Sequence, residues 1–274
     1  MSKPLPTGPS EGLRQDALRA RKFRTSRTIA ALILREMSTT FGRSPGGYLW
    51  AILDPVAGLL LMSFVFSLAF AGPPLGTSFG LFYATGYLPF VMFNEIANKM
   101  ATSINFSKPL LAYPAVTLLD ALIARFSLAI LTNIMVGYII FFTMVFVFSA
   151  RAEIDLPYIL LSVATTAALG IGIGTLNCYL MTTISLWERT WQILMRPLFL
   201  ISGVFFVFSD LPALARDVLW YNPLIHTIGL MRVGFFATYK GDYISVIYVL
   251  VIASVTFVLG LLLLWRNHRR LMED

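Results

Sequence analysis

Residues 118–148 read LLDALIARFSLAILTNIMVGYIIFFTMVFVF, and Asp120 and Arg125 are the only charged side chains in the stretch. A helix rises about 1.5 Å per residue, so roughly 20 apolar residues carry it across a 30 Å hydrocarbon layer. This run is long enough to do so. Working outward, five more apolar runs appear at 49–71, 81–104, 157–186, 192–208 and 243–265. Hydrophobic residues make up 57% of the chain and charged residues 13%, outside the range of ordinary soluble domains. The expected fold is an all-α integral membrane protein with six transmembrane helices.

The basic residues sort by side. With both termini placed together, sixteen of the 21 Lys and Arg fall on that side: nine before the first run, three in the tail, and Lys99, Lys108, Arg189 and Arg196. Four fall opposite, namely Arg151, Arg216, Arg232 and Lys240, and Arg125 lies within a run. Positive residues stay cytoplasmic, so both termini are expected inside and the number of spans even. The net charge of +7 is then read as topology and contact with anionic lipid, not nucleic-acid binding. The first 28 residues hold no apolar core, so no cleaved leader is expected. Cys178 is the sole cysteine, which excludes an intrachain disulfide, and two separated histidines give no metal cluster.

Residues 1–20 read as a mobile cytoplasmic tail, and 266–274 as a second, short one. Residues 21–43 carry an amphipathic helix. Ile29, Leu32, Ile33, Met37 and Phe41 share one face, and Arg24, Arg27, Arg35 and Ser38 cluster opposite. Ser44-Pro45-Gly46-Gly47 turns the chain into the first run through Tyr48 and Trp50. The short connection at 108–116 has an apolar centre, Leu110, Leu111 and Tyr113, between Pro109 and Pro114. A partner groove or the membrane surface would cover it. Residues 209–242 lie outside and read as two short helices, 211–221 and 224–238. Asn222-Pro223 marks the restart, with Asn as N-cap and Pro at the first helical position. The second helix is too apolar for water, which suggests re-entry into the outer leaflet.

Charged groups inside a bilayer cost about 2.5–3.5 kcal/mol at its centre, so each needs a reason. Glu95 and Lys99 stand four apart, acid first, the favourable order for a buried pair within one helix. Arg125 lies seven residues into the third run, where it can snorkel or meet a polyanion. Gly170 and Gly174 let another helix approach, within the chain more readily than between copies. Trp187, Arg189, Trp191 and Arg196 gather at the cytoplasmic mouth of the fifth run. They suit either a sugar polyanion or an interfacial belt. Phe199 and Phe206, seven apart, share a helical face. No phosphate-binding Gly-x-x-x-x-Gly-Lys-Ser/Thr loop and no nucleophilic triad is present, so no catalytic residue is assigned.

A family resemblance runs through these segments. Arg35-Glu36-Met37, Phe41-Gly42-Arg43, Gly47-Tyr48-Leu49-Trp50 and Asp54-Pro55 resemble the entry sequence of ABC-2 type exporter permeases. Leu110 to Thr117, Asp120, Ala124-Arg125-Phe126, Glu188-Arg189, Arg196 to Phe199 and Ile201 to Phe206 resemble the branch that exports capsular polysaccharide in Gram-negative bacteria. Tyr221 to Leu224, Arg232 to Phe236 and Tyr239-Lys240 fit the same branch. The resemblance covers nearly all of 25–270. It implies a homodimeric inner-membrane permease with two copies of a separate ATP-binding subunit, which holds the ATP and magnesium. It implies that Lys108 to Pro114 couple to that subunit. It also implies re-entrant helices before the last span, where Asn222, Pro223, His226 and Arg232 form a periplasmic gate. The cargo implied is a lipid-linked acidic glycan, passed on to a periplasmic co-polymerase and an outer-membrane channel. Tyr48, Trp50, Trp187, Arg189, Trp191, Arg196, Phe199 and Phe206 are the expected substrate path.

Three other readings compete. An ABC-2 permease for O-antigen, teichoic acid, lipid or drug shares the architecture. An ion-coupled secondary transporter calls for an internal repeat and a mid-membrane carboxylate, and only Glu95 could serve. An integral-membrane enzyme lacks a constellation of catalytic groups.

Overall fold

The computed structural model describes residues 24–41, 46–104, 106, 118–147 and 152–267. Among the described residues every regular element is helical. The α-helices are α1 (Arg24–Phe41), α2 (Gly47–Ala69), α3 (Phe79–Ala101), α4 (Leu118–Phe142) and α5 (Leu156–Thr183). They are followed by α6 (Trp187–Ile201), α7 (Ala213–Leu219), α8 (Pro223–Phe235) and α9 (Val246–Arg266). A π-helical turn, Thr143–Val147, extends α4.

Four of these helices, α2, α4, α5 and α9, are long and apolar enough to cross a membrane. α3 has 23 residues but carries Asn94, Glu95, Asn98 and Lys99 in its second half. α6 departs from expectation. It starts at Trp187 rather than 192 and stops at Ile201 rather than 208. Its 15 residues span about 22 Å, short of the hydrocarbon layer. Beyond Ser202 the chain turns at Gly203, whose φ of 86° suits glycine, and runs irregularly to Val207.

α5 is the most buried of the four crossing helices and packs against α3, α8 and α9. Small residues make this possible. A Cβ on Gly174 would stand 2.6 Å from Met100 and 2.8 Å from the Ala97 carbonyl oxygen, both on α3. Gly170 meets Ile96 of α3, while Gly172 meets the Ala253 backbone of α9. Gly260 of α9 meets the Leu176 backbone in return. These glycines therefore serve contacts within the chain, at backbone-to-backbone range. Helix α1 lies on α4, with Ile29, Leu32, Ile33 and Met37 half-buried and Leu34 exposed.

Residues 209–242 hold two short helices, α7 and α8, shorter than the expected 211–221 and 224–238. Asn222 accepts from Leu224 N at 3.1 Å and caps α8, with Pro223 at the first position. α8 is buried almost throughout. Ser162 of α5 donates to the Thr227 carbonyl at 2.6 Å. Ahead of α5, Glu153 N and Asp155 N donate to the last carbonyls of α8, to Phe235 O at 3.3 Å and to Gly234 O at 2.8 Å.

Candidate functional site

The expected substrate path centres on α6, whose two faces separate what the sequence placed together. Trp191 is buried and donates from Nε1 to Asn98 Oδ1 on α3 at 3.0 Å. Trp187 donates from Nε1 to Asn177 Oδ1 on α5 at 2.9 Å. An indole offers a large apolar body and one N–H, so each ring anchors α6 by packing and one directed bond. Arg189 and Arg196 are exposed on the outer side of the helix. The four residues do not close into one cluster: the rings face the protein and the guanidiniums face away from it.

Further along, Phe199 packs on Phe90 at 4.9 Å and on Phe205 at 5.0 Å between ring centroids. Phe205 also meets Phe66 of α2 at 5.4 Å and Tyr83 of α3 at 6.3 Å. Phe199 thus packs with Phe90 and Phe205 and does not share a helical face with Phe206. Seven-residue spacing aligns side chains only on an unbroken helix, and α6 ends at Ile201. Trp50 is 55% exposed on the first turn of α2. The Tyr48 side chain lies outside the described residues, as do Lys108, Pro109, Leu110, Leu111, Tyr113 and Pro114.

Two of the four expected gate residues, Asn222 and Arg232, reach the end of α6 and the chain just beyond it. Asn222 Nδ2 donates to the Ile201 carbonyl at 3.2 Å. Arg232, 1% exposed, donates from Nη1 to Phe206 O at 2.6 Å and from Nη2 to Val204 O at 3.2 Å. Its guanidinium lies 4.4 Å from the Phe82 ring centroid. Buried carbonyls outside a helix need a donor, and Arg232 supplies it for these two. Arg232, expected at the gate, and Phe206, expected on the path, are therefore hydrogen-bonded to one another. His226 bonds the Trp220 carbonyl through Nε2 at 2.8 Å and accepts from Ser245 N through Nδ1 at 3.2 Å, tying α7 and α8 to the start of α9.

Glu95 and Lys99 do not stand within ion-pairing distance among the described residues. Glu95 instead accepts from Asn133 Nδ2 of α4 at 2.8 Å, and both acid and lysine are only half-buried. A donor aimed from the neighbouring helix serves this carboxylate without a bent side chain on its own helix. Glu95 and Asn133 border an apolar cavity of about 350 Å³ lined by α2, α3, α4, α5 and α8.

One ion pair was missed from the sequence. Arg125 Nε donates to Glu36 Oε1 at 3.1 Å, joining α4 to α1. Both side chains are at most 10% exposed. Glu36 falls at the centre of the apolar face formed by Ile29, Leu32, Ile33 and Met37. A carboxylate there, with an unmatched arginine in a span, was the available signal.

The ABC-2 type transporter family model matches residues 27–236. The chain is 32% identical to a polysialic acid transport protein KpsM of Escherichia coli over 237 residues, 86% of this chain and 92% of that protein. It is 27% identical to the capsule polysaccharide export inner-membrane protein CtrC of Neisseria meningitidis serogroup A, covering 86% of this chain and 89% of that one. It is 26% identical to the capsule polysaccharide export inner-membrane protein BexB of Haemophilus influenzae, with the same coverage. The match runs from the amphipathic helix through the outer helices, so the chain belongs to the ABC-2 type transporter family.

Proposed function

We propose that this chain is the permease subunit of an ATP-driven exporter that moves lipid-linked acidic capsular polysaccharide across the inner membrane. The observation that carries this reading is coverage. The similarity to KpsM, CtrC and BexB extends over 86% of the chain and about nine-tenths of each relative. A shared module alone would leave most of one chain unmatched.

In this reading the protein works as a homodimer with two copies of an ATP-binding subunit, which holds the ATP and magnesium. Both termini are cytoplasmic. Six segments traverse the membrane, with α3 and the short α6 joining the four apolar helices. The polar half of α3 supports this role, because Asn98 and Glu95 find partners on α6 and α4. The short reach of α6 is made up by residues 202–208, where Arg232 serves the carbonyls of Val204 and Phe206. Burial of α8 in protein supports a re-entrant position for it. The conduit runs between or along the two protomers, lined by the first and fifth segments. Exposed Arg189 and Arg196 attract the polyanion at the cytoplasmic mouth. A periplasmic co-polymerase and an outer-membrane channel receive it.

The test is purification of the tagged chain from its native membrane, with glycan analysis of a deletion strain. Co-purification of an ATP-binding subunit and accumulation of acidic polymer inside the cells are expected. Tyr113→Asp should weaken ATPase association and abolish export while insertion persists. An intact capsule in the deletion strain overturns the assignment.

A further inference from the structure

The Glu36–Arg125 pair has no place in the substrate path, yet it is the most costly feature of its region. It removes two charges from water, at a contact where apolar side chains would hold as well. Around it α1 rests on α4 through Ile29, Leu32, Ile33 and Met37. Apolar contacts are non-directional, so they leave a helix free to roll or slide. A charge-assisted arginine–carboxylate bond fixes one geometry. The guanidinium also lies 4.5 Å from the Phe106 ring centroid, and Arg35 of α1 lies 5.7 Å from the same ring. Phe106 thus takes one cation from each helix. In sequence, Phe106 comes two residues before the stretch assigned to ATPase coupling, and α4 begins just after it.

We propose that Glu36, Arg125 and Phe106 form a positioning tie that carries movement of the ATPase-facing elements into α4. The tie holds α1, the chain entering the coupling stretch and the base of the span in one register. Displacement of the cytoplasmic elements on ATP binding then moves α4 with them instead of slipping past it. The proposal rests on the reading above that an ATP-binding subunit docks on this face.

The test uses the full complex with its ATP-binding subunit, in sealed vesicles supplied with the lipid-linked acidic polymer that the deletion strain accumulates. It reads subunit co-purification, ATP hydrolysis and polymer moved per ATP hydrolysed. Glu36→Gln should leave co-purification and hydrolysis at wild-type levels. The polymer-to-ATP ratio should fall about tenfold, the scale of losing one hydrogen bond to a charged group. Because a lone Arg125 risks misfolding, Glu36→Leu combined with Arg125→Met is measured alongside. That pair removes both charges and restores packing, so a purely structural role predicts a normal ratio. The tie predicts a low ratio in an assembled complex. A wild-type ratio in either assembled variant overturns the proposal. So does failure of both to assemble, since the pair is then a requirement of folding. Absence of ATP-dependent movement by the wild-type complex strikes the exporter reading instead.

Discussion

Arg232 Nη1 donates to the carbonyl oxygen of Phe206 at 2.6 Å, across 26 residues of chain. The same guanidinium reaches Val204 O through Nη2. Two donors in a planar fork thereby satisfy the stretch that replaces the missing end of α6. This fork couples α8 to the chain just beyond α6.

Arg232→Met should leave both carbonyls without that donor, at about 1–3 kcal/mol for each buried group. Arg232→Lys should lose less, because an ammonium is a point donor that serves one carbonyl well. Thermal unfolding of the purified complex is expected to rank wild type above Lys and Lys above Met. Equal melting of the Lys variant and wild type would show that the fork is unnecessary.

The two faces of α6 should respond differently. Trp191→Phe keeps a ring but loses the bond to Asn98, costing about 0.5–1.5 kcal/mol. Arg189→Ala with Arg196→Ala lies on the exposed side, so stability should change by less than about 0.5 kcal/mol. Export should nevertheless slow several-fold, since each exposed charge contributes up to about 1 kcal/mol to a polyanion contact. Pulse-labelled polymer outside the cell and melting of the complex separate the two effects. Normal export by the double arginine variant removes these residues from the entrance.

Gly172→Ala places a Cβ against the Ala253 backbone, which cannot rotate away. A loss of about 1–3 kcal/mol is expected from such overpacking. Gly137→Ala is the control, because nothing stands within 4 Å of its Cβ. There the gain in helix propensity approaches about 1 kcal/mol. Melting temperatures that move in the same direction for both variants would contradict the packing of α5 on α9.

Cysteine labelling checks orientation. Cys178 is buried and should not compete for reagent. Substitutions at Glu153 and Asp217 should be labelled from outside intact cells, and those at Lys108 and His268 only after permeabilisation. External labelling at position 108 would reverse the arrangement.

Much of the architecture was legible in the chain alone. Apolar runs marked α2, α3, α4, α5 and α9, and the start of α8 followed from Asn222-Pro223. The amphipathic arc of 29–37 marked α1, and Gly170 and Gly174 marked close packing. These signals are local: a helix, a cap or a small-residue face depends on neighbours within a few positions. Charge sorting added topology as an expectation, because it sums over loops.

What the tertiary structure decided were partners distant in sequence. Glu36 and Arg125 are 89 residues apart, and Trp191 and Asn98 are 93 apart. No periodicity links them, since each pairing depends on which helix lies beside which. Glu95 turned to Asn133 because α4 presents a donor that spacing along α3 could not reveal. Phe206 lost its alignment with Phe199 because α6 stops at Ile201. Asn222 and Arg232, from beyond the break, donate to carbonyls of the last turn and of the irregular stretch that follows. The sequence by itself determined where helices form, through short-range hydrophobic pattern. Only the folded bundle decided which polar groups meet, because inside an apolar core each donor must take the acceptor that packing brings to it.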